Sequence, residues 1–74
     1  MSGAPIVVHR PFPAGGRRVV VHSAGRSEVL GTAYSDRDLV TFLEAVGVTD
    51  PETVLDDPRW VEWRGAPAHT FHTD

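Results

Sequence analysis

The sequence predicts an α+β fold: a small antiparallel β-sheet, made of N-terminal strands plus a C-terminal hairpin, packed on one main α-helix, with a second short helical turn. Three observations carry this reading. Short β-branched runs separated by Gly and Pro fill the first 34 residues. One apolar stripe at helical period follows in "SDRDLVTFLEAVG". Finally, "RWVEW" and "PAHTFH" flank "RGA", the pattern of a hairpin.

In "APIVVHR" a first strand over residues 5–10 puts Ile6 and Val8 on one face and Val7 and His9 on the other. "PFPAGG" then interrupts the ladder, because two prolines and two glycines in six residues cannot sustain it. "RRVVVHS", residues 17–23, is the clearest strand: Val19 and Val21 share one face, and Arg18, Val20 and His22 the other. "SAGR" turns the chain into a third strand, residues 27–34. Gly31 within it predicts a bulge or a close backbone approach.

The helix spans 36–46, with Leu39, Phe42, Leu43 and Val46 at i, i+3, i+4 and i+7. Ser35 is the N-cap, Asp38 takes the place of the usual Glu in a capping box, and Gly47 is the stop. "TDPETVLDDP" offers Asp50 as a second N-cap and Pro51 at the first helical position, giving a short helix or 3₁₀ turn before Pro58. The expected core is Val19, Val21, Val29, Leu39, Phe42, Leu43, Val46, Leu55 and one tryptophan.

Seventy-four residues without an internal repeat make one domain, 1–74, with frayed termini expected at about 1–4 and 73–74. A chain this short buries only about 60% of the surface its unfolded form exposes, so each large apolar group matters. There is no cysteine, which removes disulfides, thiol catalysis and thiolate metal sites together. The N-terminus lacks the pattern of a signal peptide, and no run approaches the roughly 20 apolar residues of a membrane helix. A soluble, cytoplasmic protein is the expectation.

All seven basic residues are arginine. Residues 1–34 carry four of them against Glu28, a net +3, and residues 35–74 carry three against nine acids, a net −6. The acidic total of −3 argues against a strong nucleic-acid binder, whose affinity comes from neutralising phosphates. No catalytic residue, cofactor or metal is expected. His9, His22, His69 and His72 show no convergent ligand spacing, and His69 and His72 face opposite ways on a strand. Ser23, Ser27 and Ser35 sit where turns and caps want serine. "PAGGRR" lacks the phosphate-loop pattern and the helix that follows it.

"DDPRWVEWRG" is the most informative stretch. On a strand, Trp60 and Glu62 face one way, and Val61 and Trp63 the other. One indole then completes the core and the other marks a contact surface, with Trp60 the more exposed of the two. Candidate partner-binding residues are Arg59, Trp60, Glu62 and Arg64, an indole within a charged rim. The partner is an unknown protein or a second copy in a homodimer. The alternative is a nucleic-acid-binding regulator using the basic hairpin Arg10, Arg17, Arg18 and Arg26.

"YSDRDLVTFLEAVGV" and "LDDPRWVEWRG" are similar to stretches of a group of short, uncharacterised proteins of actinobacteria. The resemblance covers the chain from about residue 17 onward. It implies a bacterial cytoplasmic origin, which the arginine-only composition suits. It implies no activity, cofactor or partner.

Overall fold

The computed structural model describes residues 4–72. The fraying expected at 1–3 and 73–74 lies outside the described residues, whereas Ala4, placed in the same expectation, is buried. The architecture is α+β, as the sequence predicts. In chain order it comprises β1 (Ile6–Pro11), β2 (Arg17–Ser23), β3 (Arg26–Ala33), α1 (Asp36–Ala45), a 3₁₀ turn (Pro51–Thr53) and β4 (Val61–Trp63). One four-stranded sheet has the order β3-β2-β1-β4.

β1, β2 and β3 form an antiparallel meander. β2 and β3 are joined by Ala24 and Gly25, both at positive φ, 53° and 78°. That pair of angles is what a two-residue turn of type I′ requires, since its twist matches that of the flanking strands.

The sheet departs from the antiparallel expectation at its other edge. β4 runs parallel to β1, with Ile6 opposite Val61 and Val8 opposite Trp63. The chain leaves β3, passes through α1 and the 3₁₀ turn, and returns beyond β1 in the same direction, as a helical crossover demands. The C-terminal hairpin is therefore absent: residues 67–72 form no strand, and His69 has a left-handed φ of 67° that an extended ladder does not admit.

α1 has the predicted caps. Ser35 Oγ accepts from Asp38 N at 3.3 Å, and Asp38 Oδ2 accepts from Tyr34 N at 2.9 Å, one residue beyond the usual capping-box donor. At the C-terminus Gly47 N donates to Glu44 O at 3.0 Å and Val48 N to Leu43 O at 3.0 Å, the paired bonds of a Schellman motif.

The core lies between the sheet and α1: Ile6, Val8, Val19, Ala33, Leu39, Leu43, Leu55, Val61 and Phe71 are buried, with Val21, Phe42 and Trp63 packed against them. Two residues expected in it are not. Val46 is the C-cap of α1 and is 41% exposed. Val29 is 58% exposed because the register slips between Val19, opposite Gly31, and Val20, opposite Val29. The extra residue, Leu30, reverses the alternation, so Leu30 packs inward and Val29 outward. Phe42 fills the place a Gly31 side chain would occupy: a Cβ there would lie 2.8 Å from Phe42 Cζ.

Candidate functional site

The two tryptophans separate, but not through strand alternation. Trp60 closes a turn, its N–H donating to Asp57 O at 2.9 Å, and β4 begins only at Val61. Trp60 is 43% exposed and borders a cleft of about 330 Å³ with Ile6, Val21, Val46 and Val48. Trp63 is half-buried on the core side, and its Nε1 donates to Leu55 O at 2.8 Å.

The four partner-binding candidates do not form one patch. Arg59 stays beside Trp60 in sequence and folds back onto Asp57, with Nη2 at 3.1 Å from Oδ2. That hydrogen bond holds the Asp57 carboxyl below its usual range. Glu62 and Arg64 pair with each other at 2.6 Å and line a different concavity, on the sheet face turned away from α1.

Of the basic residues, Arg10, Arg18 and Arg26 are exposed, but Arg17 is 0% exposed. Its guanidinium is surrounded by backbone carbonyls. Nε donates to His9 O at 2.7 Å, Nη1 to Pro67 O at 2.9 Å and Thr70 O at 2.8 Å, and Nη2 to Arg64 O at 2.8 Å, with longer contacts to Val8 O and Ala66 O. The Trp63 ring centroid lies 5.2 Å from its Cζ, within cation–π range. Burial lowers the pKa of the group, but an arginine remains a cation at neutral pH. Arg17 therefore cannot reach a phosphate. It acts as an internal staple holding residues 64–70 against β1 and β2.

A charged cluster that the sequence does not announce lies nearby. His69 Nδ1 is 2.8 Å from both carboxylate oxygens of Asp36, and Nε2 is 2.6 Å from Asp56 Oδ1. With both ring nitrogens facing carboxylates, each must donate, which requires the imidazolium. The Asp36 and Asp56 hydrogen bonds accordingly raise the His69 pKa above its ordinary 6.5. The ring also packs against Trp63, centroid to centroid 5.3 Å. His69 thus ties the start of α1 and the turn before β4 to the C-terminal segment. Among the described residues no group of His, Cys, Asp or Glu has the geometry to hold a metal ion, and no helix is long and apolar enough to cross a membrane.

His22 and Ser27 are cross-strand partners, Nδ1 to Oγ 2.6 Å, at the mouth of the β2–β3 turn. That pairing is the ordinary way two polar residues opposite one another stabilise a hairpin.

No family model, curated protein or solved structure matches this chain.

Proposed function

We propose that this chain is a non-catalytic protein-interaction or accessory module of a bacterial cytoplasm, with Trp60 as the contact residue. The observation that supports the reading is the pairing of two exposed apolar side chains, Trp60 and Val46, at the rim of one cleft floored by Ile6, Val21 and Val48. In a domain with so little apolar material, placing an indole there rather than in the core forgoes stability that burial would supply. Exposed indoles set among polar neighbours are the usual anchors of protein interfaces. Arg59, the residue before Trp60 and held by Asp57, is the charged neighbour such an interface would add.

The test is affinity capture from an actinobacterial lysate, with and without nuclease, using the native chain and Trp60→Ala as baits, together with sedimentation of the bait alone. A single protein retained after nuclease and lost with Trp60→Ala supports the reading. A concentration-dependent dimer lost with Trp60→Ala makes the partner a second copy. Recovery that vanishes with nuclease overturns the reading in favour of nucleic acid.

A further inference from the structure

The distribution of charge between the two sides of the sheet carries an inference about a second surface, separate from the Trp60 cleft and meeting it only at Pro5, His22 and Ser23. Residues 36–57, which contain α1 and the 3₁₀ turn, hold seven carboxylates and one arginine, Arg37. Core residues Leu39, Leu43 and Leu55 of this segment pack on the face of the sheet that bears Ile6, Val8 and Val19. Most of the acid among the described residues is thus on that side.

The opposite face is built from the alternate residues. Val29, Val20, Val7 and Glu62 lie side by side across all four strands. Arg18, Arg64, His9 and His22 surround this row, and Arg26 borders it from the end of the β2–β3 hairpin. Among the described residues Glu62 is the one carboxylate in this group, already engaged by Arg64 at 2.6 Å. The field on this face is felt by its own members. Burial lowers the pKa of His9, and Arg64, Arg18 and His22 lower it further, while Glu62 opposes them. A concavity of about 550 Å³ opens here, lined by His22, Arg26, Glu62 and Arg64 over Val7. Beside it Val29 offers an apolar contact, 58% exposed.

We propose that this outer sheet face docks an acidic peptide segment of a partner protein, its carboxylates meeting Arg18, Arg26 and Arg64 and an apolar side chain lying on Val29. Charge complementarity selects this occupant. A second copy docking face to face would bring like charges together across the two-fold axis. A nucleic-acid strand needs several phosphates neutralised and aromatic platforms for its bases. Here three arginines are set against one glutamate, Arg17 is buried, and the nearby Phe12 already has Arg18 over its ring at 5.5 Å.

The experiment is fluorescence anisotropy of a labelled ten-residue peptide of alternating Glu and Val, titrated with the full chain. A Lys–Val peptide of equal length and a single-stranded oligonucleotide serve as comparison probes. Binding of the acidic peptide alone is expected, weakening at least several-fold between about 50 and 200 mM salt. Arg18→Glu with Arg26→Glu should weaken it about tenfold or more, which corresponds to about 1.4 kcal/mol or more. Arg37→Glu, on α1, and Trp60→Ala should leave it unchanged. Absence of binding at about 1 mM chain, a Kd worth only about 4 kcal/mol, overturns the proposal. So does equal binding by the doubly reversed variant, loss with Trp60→Ala, or preference for the oligonucleotide. Because Trp60→Ala is expected to be silent here and decisive in the capture experiment, the two surfaces fail or stand separately.

Discussion

Arg17 Nη1 donates to the carbonyl of Thr70 at 2.8 Å, joining positions 53 residues apart in the sequence. Among the described residues no carboxylate takes part in the hydrogen bonding of this buried cation. Carbonyl dipoles from β1 and from residues 64–70 satisfy it, and no buried side-chain nitrogen or oxygen among the described residues lacks a partner. Five N–H groups in a rigid plane suit such a cage, because carbonyls approaching from several directions each find a donor.

Replacing Arg17 is expected to be the most damaging single change in the chain. Arg17→Met leaves several carbonyls without a donor, at about 1–3 kcal/mol for each that water cannot reach. The whole domain is worth only about 4–11 kcal/mol at typical values per residue. Arg17→Lys is expected to rescue little, since an ammonium offers three donors at one point instead of five spread over a plane. Urea unfolding followed by tryptophan fluorescence reads both: cooperative unfolding should be lost in Arg17→Met and its midpoint strongly lowered in Arg17→Lys. A native midpoint in either variant would mean that the carbonyls find water instead.

The two tryptophans are expected to behave oppositely. Trp63→Ala removes a ring that touches Phe71, His69 and Arg17 and an N–H bonded to Leu55, so a loss of about 3–5 kcal/mol follows. Trp60→Ala should cost about 1 kcal/mol or less, as for a partly exposed side chain. In the single-tryptophan proteins Trp63→Phe and Trp60→Phe, emission from Trp60 should be red-shifted relative to that from Trp63. The reverse order would exchange their roles.

Much of this fold is legible in the sequence, and the places where it is not share one cause. The hairpin turn, the helix and its caps depend on residues within a few positions of one another, and local pattern reveals them. β4 pairing in parallel with β1 depends on where a crossover lands, which no local pattern encodes. The same is true of His69, whose partners Asp36 and Asp56 lie 33 and 13 residues away. Arg17 is within reach of the sequence: strand alternation puts it with Val19 and Val21 on the inward face, yet its adjacency to Arg18 suggests a basic patch. Val29 fails for the opposite reason, because Gly31 announces the bulge but not which residues exchange faces.

Stability should fall as pH rises through the His69 titration. The folded pKa of His69 is raised by Asp36 and Asp56 above the 6.5 of the unfolded chain. The folded state therefore binds the proton more tightly, and the stabilisation is fully present below pH 6.5 and lost as pH rises through the raised value. His69→Gln is expected to flatten this part of the profile. NMR titration of the His69 ring should show its pKa falling in Asp36→Asn. A profile for His69→Gln that matches the native one would assign the dependence to another group.

Ala24 offers an improvement. It adopts a left-handed φ of 53° at the first central position of the β2–β3 turn, where a Cβ is unfavourable. Asparagine tolerates this region and is preferred before glycine in type I′ turns. Ala24→Asn should raise stability by about 0.5–1 kcal/mol, seen as a higher urea midpoint with an unchanged slope.

Gly31→Ala is the corresponding damaging change. Phe42 Cζ lies 2.8 Å from the position of the new Cβ, and the backbone φ of 150° is rarely adopted by a residue with a side chain. A loss of about 2–4 kcal/mol is expected from overpacking and backbone strain together. In the double variant Gly31→Ala with Phe42→Leu, part of that loss should be recovered, because the shorter side chain no longer fills the site.

The order β3-β2-β1-β4 also dictates a timetable during synthesis. The meander needs only residues up to Ala33 and can pair while the remainder is still on the ribosome. β1 keeps one edge open until Val61–Trp63 arrive, and Arg17, which can already bond His9 in β1, lacks its remaining carbonyl partners until Arg64, Pro67 and Thr70 follow. A nascent chain stalled before those residues emerge presents an unpaired strand edge and an exposed valine face, the features that chaperones recognise. The carbonyl cage of one arginine therefore cannot be complete before residue 70 has left the exit tunnel.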